Sequence, residues 1–266
     1  MKDLGKKGVL GVMVDAVDYD AAIDRIMRAA HERQPCILSA LAVHGTMTGV
    51  LDARQRYRLN RFDLVVPDGQ PIRWALNLLY DCRLTDRVYG PELTLRLFCH
   101  AARADLPVYL YGTTDDILQA LQARLRVRCP DLKIAGSKPS LFRVLTESEK
   151  TLVVREILES GARMVFVALG CPRQEIWAYE NRDCLSMPIV AVGAAFPFIA
   201  GTLSQAPSVL QRCGLEWLFR LLREPRRLWR RYVFLNPYYL CLLALQWRGR
   251  KFDSSGSPPE KEVRFG

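Results

Sequence analysis

Asp68 is the first residue whose type and position together suggest chemistry. It follows an apolar run, Asp63 to Val66, that ends in Pro67-Asp68-Gly69. A carboxylate at a strand end beside a glycine turn can act as a general base and take a proton from a hydroxyl nucleophile. The same position suits a turn aspartate, or an N-cap for the helix that Pro71 opens; position alone favours that plainer role. A second candidate is Gly170-Cys171-Pro172-Arg173-Gln174-Glu175, where an apolar strand turns into a helix. Backbone N–H groups at a helix start can hold a phosphate, with Arg173 assisting and Gln174 binding a hydroxyl or a base edge. The alternative is a capped helix with Glu175 on its N-terminal dipole. Cys171 has no identifiable base and is discounted as a nucleophile. Tyr111-Gly112-Thr113-Thr114 is a short glycine turn that matches neither a Walker loop nor GxGxxG. His44 lies just past a strand and can reach a ligand, although a lone histidine is more often structural. Arg87, within DRVYGPEL, suits a diphosphate or a neighbouring carboxylate.

The stretch GLEWLFRLLREPRRLWRR, residues 214 to 231, mixes bulky apolar residues with arginines. Arg223, Arg226, Arg227, Arg230 and Arg231 recur at the spacing of one helix face. Arginines stacked without interleaved acids repel one another, and their guanidinium groups fork onto phosphate oxygens. A solvated charged face is the plain reading, but the stripe beside aromatics points to an extended anionic partner. Between residues 201 and 251 there are ten Lys/Arg and two Asp/Glu, so this segment carries eight of the chain's ten excess positive charges. The basicity is local. Trp217, Phe219, Leu222 and Trp229 suit a lipid interface better than nucleic acid, for which no recognised motif is present.

These residues need a scaffold, and the pattern supplies one. Apolar runs at Val9–Val14, Cys36–Val43, Asp63–Val66, Pro107–Tyr111, Leu132–Ala135, Met164–Leu169 and Pro188–Val192 read as strands. Most are followed by segments of helical spacing. The alternation predicts an α/β fold, a mainly parallel sheet with helices on both faces (Rossmann-like), plus a C-terminal basic helical appendage. Ligands in such sheets bind beyond the carboxyl ends of the strands. The loops at 42–45, 68–70, 111–114, 170–173 and 193–196, the last opening on Gly193, are therefore expected to line one cleft. The expected organisation is a catalytic core over 1–205, a membrane-docking appendage over 206–252 and a disordered polar tail over 253–266.

The 266 residues suffice for one sizeable domain with an appendage. Eight cysteines form no CxxC pair and show no metal-like spacing with histidine. They are expected to be unpaired and mostly buried, in a reducing, cytoplasmic setting. No carboxylate cluster demands a metal, and no cofactor is implied. The N-terminus lacks the apolar stretch of a signal peptide, and no apolar run reaches the ~18 residues of a membrane span. A membrane partner would be met from its surface, and the apolar faces leave room for a homo-oligomer.

VVPDGQPIRWA (65–75), ALGCPRQEIWAYENR (168–182) and AVGAAFPFIAG…AP…GLEWLFRLLREPRRLWRRY (191–232) together resemble the WecG/TagA/CpsF family of bacterial glycosyltransferases. The resemblance runs from about Val9 to Tyr232. It implies inverting transfer of a sugar from a UDP-sugar donor to a polyprenyl-diphosphate-linked saccharide, at the cytoplasmic face of the membrane, in cell-surface polysaccharide synthesis. It implies that Asp68 matches the family's base and Gln174 the glutamine of its PxQE motif. Arg227 and Arg231 match C-terminal arginines that contact the diphosphate, and the appendage matches one linked to membrane docking. The chain departs from the pattern at Ala40 and Ala42, where many members have Thr-x-Asn. It also departs at Pro197, within Phe-Asp-Phe in many members, and at Gln205, in place of an arginine. These departures bear on substrate identity, and they are the only support for a rival reading, a non-catalytic scaffold.

Overall fold

The computed structural model covers residues 1–266 and describes all of them except the side chains of Ser208, Arg212, Arg227, Arg230 and Arg231. The chain begins with an antiparallel hairpin of β1 (Asp3–Val9) and β2 (Val12–Val17). The sequence reading took Val9 to Val14 as one strand. Instead Leu10 (φ 53°) and Gly11 (φ 84°) both adopt left-handed backbone and turn the chain, as a two-residue hairpin turn requires. Buried Asp15 ties the hairpin to the main sheet. Its Oδ2 accepts the Val65 N–H at 2.7 Å, and its Oδ1 accepts from Arg25 at 3.1 Å.

The main sheet is parallel, as expected, and has six strands. Its strands are β3 (Cys36–Leu41), β4 (Leu64–Pro67), β5 (Val108–Gly112), β6 (Ile134–Lys138), β7 (Met164–Ala168) and β8 (Pro188–Ala191), in the order β4-β3-β8-β7-β5-β6. Alternate residues point to opposite faces. Ile37, Val65, Tyr109, Val165 and Ile189 bury on one face, and Leu38, Leu64, Leu110, Phe166 and Val190 on the other. The first face is covered by α2 (Val43–Leu51), α3 (Ala53–Leu59), α4 (Gln70–Tyr80), α7 (Glu147–Glu159) and α8 (Arg173–Asn181). The second is covered by α1 (Tyr19–Glu32), α5 (Gly90–Arg103), α6 (Asp115–Arg128) and α9 (Ala195–Ala200). Apolar strands clad on both sides are what a buried parallel sheet demands.

Beyond residue 206 come α10 (Ser208–Arg212), α11 (Glu216–Arg223), α12 (Pro225–Arg230), a π-helical turn over Arg231–Leu235, and α13 (Asn236–Trp247). The arginine stripe does not lie on one continuous helix. Glu224 leaves helical geometry (φ −132°, ψ 56°), and Pro225 starts α12 afresh. Arg223 therefore belongs to a different helix from Arg226. The α13 helix is part of the core: Tyr239, Leu242 and Leu243 are buried in it. The Tyr239 hydroxyl donates to the Pro71 carbonyl at 3.0 Å.

Two expectations are corrected. Residues 253–266 were expected to be disordered, yet they lie along the core, held by Arg56–Asp253, Arg54–Glu260 and a backbone bridge between Val144 and Phe265. A polar, proline-rich composition does not reveal partners that lie elsewhere in the chain. Cys99 on α5 and Cys129 just after α6 are joined as a disulfide, with Cα atoms 5.4 Å apart. The two helices cover the same face of the sheet, and a separation of 30 residues conceals that proximity. Cys184, Cys213 and Cys241 are exposed, so the expectation of burial holds for Cys36 and Cys82 but not for these.

Gln246 clamps the hairpin turn to α13, its Oε1 accepting from Leu10 N–H and its Nε2 donating to Gly8 carbonyl, both at 2.8 Å. Gln246→Ala leaves the Leu10 N–H without its partner, while the Gly8 carbonyl keeps the Tyr80 hydroxyl, and should cost about 1–3 kcal/mol in chemical denaturation. An unchanged midpoint would show that the clamp is not needed.

Candidate active site

The carboxyl ends of β3, β4, β5, β7 and β8 open onto a cleft of about 660 Å³, a volume suited to a ligand of nucleotide size. Ala40, Ala42, His44, Asp68, Thr113, Gly170, Gln174, Glu175 and Gly193 line it, as do Glu216 and Arg220 from α11. The loops named from the sequence thus meet, and one appendage helix closes the cleft.

Asp68 leaves β4 directly after Pro67. Its own N–H donates to the Leu41 carbonyl at 3.1 Å, which aligns it with the end of β3. Gly69, not Asp68, is the N-cap of α4, and no side chain caps that helix. The plainer N-cap role is therefore unfilled. Asp68 Oδ1 accepts the Gly90 N–H at 2.7 Å, and Gly90 packs on Ala40, where a Cβ would sit 3.3 Å from the Ala40 Cβ. Burial pushes the Asp68 carboxyl up to about 6, while Arg87 and the Gly90 N–H pull it back down.

Arg87 is 7% exposed. Its Nη2 donates to Glu216 Oε2 at 2.7 Å and to Gln211 Oε1 at 3.1 Å, and its guanidinium lies 4.2 Å from the centre of the Tyr89 ring. The Tyr89 hydroxyl donates to Glu216 Oε1 at 3.2 Å. Arg87 thus sits among the core carboxylate Asp68, an aromatic face and an appendage carboxylate. Desolvation works against its charge, but Asp68 and Glu216 more than compensate and raise its pKa.

Gln174 is buried, and both ends of its amide are engaged. Oε1 accepts the Gly170 N–H at 3.2 Å and Nε2 donates to Glu175 Oε1 at 2.9 Å. It also packs on Gly193 (φ 52°), where a Cβ would lie 3.0 Å from Gln174 Oε1. This geometry makes Gln174 a brace between the β7 and β8 loops. Glu175 is fully buried, and its Oε1 also accepts from Ser39 Oγ at 2.9 Å. Burial raises its pKa, against Gln174 and Ser39. Its Oε2 is buried without a hydrogen bond. Such a carboxyl is best kept neutral.

Of the other candidates, His44 reaches the cleft and Tyr111, Gly112, Pro172 and Arg173 do not. Tyr111 is buried against Trp177, with ring centres 5.1 Å apart, so it is core and not cleft. Gly112 (φ 104°) is needed for packing, since a Cβ would lie 2.7 Å from the Ala168 backbone. Pro172, in a cis Cys171–Pro172 bond, precedes α8 outside the cleft lining. Arg173 turns away to the Phe265 ring, 5.7 Å from its centre. His44 faces the cleft from the first turn of α2. The side chains of Arg227 and Arg231 lie outside the described residues. The sequence reading missed Arg220, which lines the cleft and lies 5.8 Å from the Phe198 ring centre. It also missed Ser39, Glu216 and Tyr89. Ser39 carries the one hydroxyl in CILSALAV, and Glu216 is one of two acids in a strongly basic segment; both anomalies were visible. Among the described residues, no group of three or more His, Cys, Asp or Glu is arranged to hold a metal ion.

A family model described as Glycosyl transferase WecG/TagA/CpsF family matches residues 8–253. A Bacillus subtilis (strain 168) protein named N-acetylglucosaminyldiphosphoundecaprenol N-acetyl-beta-D-mannosaminyltransferase is 28% identical over 205 residues, covering 77% of this chain and 76% of its own length.

A carboxylate kept in a desolvating site carries a thermodynamic signature. The folded pKa of Asp68 lies above the ordinary carboxylate value, so its ionisation opposes folding. Stability is greatest while the group is protonated and declines as pH rises towards about 6. Above that, Asp68→Asn should raise stability by on the order of 1 kcal/mol, after allowance for its partial exposure, or a few degrees in Tm. Below about pH 4 the difference should vanish. A variant that melts lower than the parent at neutral pH would contradict this.

Proposed function

The chain belongs to the WecG/TagA/CpsF glycosyltransferase family, and from that premise we propose that it moves a sugar from a UDP-sugar to a polyprenyl-diphosphate-linked saccharide, with inversion. The observation that carries the reading is the Asp68 carboxylate, held in the cleft by the Gly90 N–H and poised near neutrality. Asp68 takes the proton from the acceptor hydroxyl. The hydroxyl oxygen bonds to the anomeric carbon as the bond to the UDP oxygen breaks, and UDP leaves with the electron pair. Negative charge develops on the departing diphosphate and must be met by a fixed cation. Arg220 is in place for this at the cleft wall. Arg87 is committed to Glu216 and Gln211 and serves instead to tune Asp68. Arg227 and Arg231 remain candidates from the resemblance. The relative's printed name, with a diphosphoundecaprenol-linked N-acetylglucosamine acceptor, supports the acceptor class. Ala40, Ala42 and Pro197 face the cleft without polar groups, so the sugar is held by other contacts than in family members with Thr-x-Asn and Phe-Asp-Phe.

The same reading places the enzyme on the cytoplasmic membrane face, with the appendage of residues 206–252 as its docking unit. No helix among the described residues is long and apolar enough to cross a membrane. Yet Leu222 (75%), Phe234 (61%), Leu240 (59%) and Trp229 (43%) are exposed on the appendage beside Arg223 and Arg226. Apolar and cationic side chains together suit an anionic bilayer surface.

The reaction is tested by quantifying UDP released from a panel of UDP-sugars with a polyprenyl-diphosphate-saccharide acceptor. Asp68→Ala should lower turnover about 10²–10⁴-fold, and Arg220→Ala about 10²–10³-fold. The parent's kcat/KM should fall as pH drops below about 6, where Asp68 gains a proton. Arg87→Met, which removes the largest pull holding that pKa down, should move this limb to higher pH. Full turnover in Asp68→Ala would remove Asp68 from the mechanism.

Membrane docking is tested separately by sedimentation with anionic liposomes. The double variant Leu222→Glu, Phe234→Glu should bind at least ~10-fold more weakly, because two apolar anchors are lost. Equal binding would place the docking surface elsewhere.

A further inference from the structure

The family match ends at residue 253, and the segment that follows makes specific contacts. Asp253 passes over the hairpin turn at Gly11, where a Cβ would lie 2.2 Å from the Asp253 carbonyl oxygen. Asn60 Nδ2 donates to the Ser254 carbonyl at 2.6 Å, and Ser257 N–H to the Ala53 carbonyl at 3.0 Å. Gly256 fits where a Cβ would be 2.5 Å from that same carbonyl oxygen. Further on, Glu262 pairs with Lys150 and Arg264 with Glu147, both on α7.

The last contacts reach the cleft. Leu145 N–H donates to the Arg264 carbonyl at 2.7 Å, Val144 and Phe265 form an antiparallel bridge, and Gly266 N–H donates to the Arg143 carbonyl at 3.0 Å. These bonds hold residues 139–145, the loop between β6 and α7. That loop is also pinned at its start, where Ser140 N–H donates to the Thr113 carbonyl at 2.9 Å. Between the two anchors Phe142, 55% exposed and with φ 55°, projects into the cleft. A phenylalanine in left-handed backbone is costly unless its surroundings fix it. On its other side Phe265 meets Arg173 at the start of α8, immediately after the Gly170–Cys171 wall of the cleft. One short segment therefore touches both the Phe142 loop and the helix that begins at the opposite wall.

We propose that residues 253–266 are a strap in cis that fixes the Phe142 lip of the cleft and so sets the affinity with which the cleft holds its sugar-nucleotide donor, a role that rests on the glycosyltransferase reading. The strap is a positioning segment. None of its residues lines the cleft, so its loss should weaken donor binding without altering the base.

The test compares the full chain with a chain ending at Phe252 and with Phe265→Ala, which spares every salt bridge of the segment. Three quantities are measured: amide exchange over 139–145, equilibrium affinity for UDP, and the split between donor KM and kcat. Exchange over 139–145 should quicken by about tenfold or more as local opening becomes easier. UDP affinity should weaken and donor KM rise by about tenfold, with kcat within about twofold. Unchanged exchange overturns the strap. Faster exchange with unchanged UDP affinity and KM overturns its role in donor binding. A fall in kcat alone would show that the segment acts on the chemistry and would also overturn the proposal. If the full chain neither binds UDP nor releases it from any donor, the glycosyltransferase reading fails, and the donor role falls with it. Exchange would still show whether the strap holds the loop.

Discussion

The structure depends on how Arg87 is kept charged inside the protein. A guanidinium that is 7% exposed loses most of its hydration, and that loss is tolerable only with close counter-charges and filled hydrogen bonds. Here they come from two parts of the chain. Asp68 lies at the end of a core strand, and Glu216 begins the first long helix of the appendage. One buried cation therefore serves two purposes. It anchors α11 over the cleft, and it restrains the rise of the Asp68 pKa that burial alone would cause. Arg87 sits where a diphosphate-binding group was expected, but its Nη2 is held by Glu216 at 2.7 Å and its charge is already shared with Asp68. Arg220, on the same helix as Glu216, lines the cleft as well and is the described arginine that the proposed mechanism turns to for the leaving group.

The sheet was legible because its signal is local. Six apolar runs, each long enough for a strand and separated by helical periods, admit few arrangements other than a parallel sheet covered on both faces. Once the strand directions follow, their carboxyl ends must share one edge, so the loops after five of them meet there. Asp68, His44, Gly170, Gln174, Glu175 and Gly193 were found on that logic. Tyr111 failed for a reason the same logic contains. It is still inside β5, with Tyr109 two residues earlier on the same face, and so it packs on Trp177 under the sheet. The hairpin was misread because Leu10-Gly11 turns the chain without the usual Asn-Gly or Asp-Gly signal.

What the sequence concealed is the set of long-range polar pairings. Arg87 and Glu216 are 129 residues apart, and Ser39 and Glu175 are 136 apart. No periodicity links them. The arginine stripe shows the opposite error. Spacing alone put five arginines on one helix, but the pattern ran across Glu224-Pro225, where the backbone leaves helical geometry and restarts. A period counted through a helix break carries no information about a shared face. The tail was misjudged similarly, since its composition is that of a linker but its partners are fixed points on α3 and α7.

The appendage and the Asp68 carboxylate are coupled through this same buried cluster. Burial raises the Asp68 pKa, and Glu216 raises it further, because a second negative charge disfavours ionisation nearby. Arg87 pulls in the other direction, and it is shared between the two acids. If α11 moved away, Glu216 would leave and Arg87 would act on Asp68 alone, while the cleft wall would open to water. Arg220, on the same helix, would also leave, and that loss opposes ionisation; burial is the largest cause of the raised pKa, so the entry of water decides the direction and lowers it. An undocked appendage would therefore leave Asp68 ionised but weakly basic and solvated, whereas the docked appendage keeps it more basic and shielded. The helix that covers the cleft thus also bears on the proton affinity of the group it covers, and the exposed apolar residues Leu222, Trp229 and Phe234, on α11, α12 and the π-helical turn, lie in the same short segment of chain.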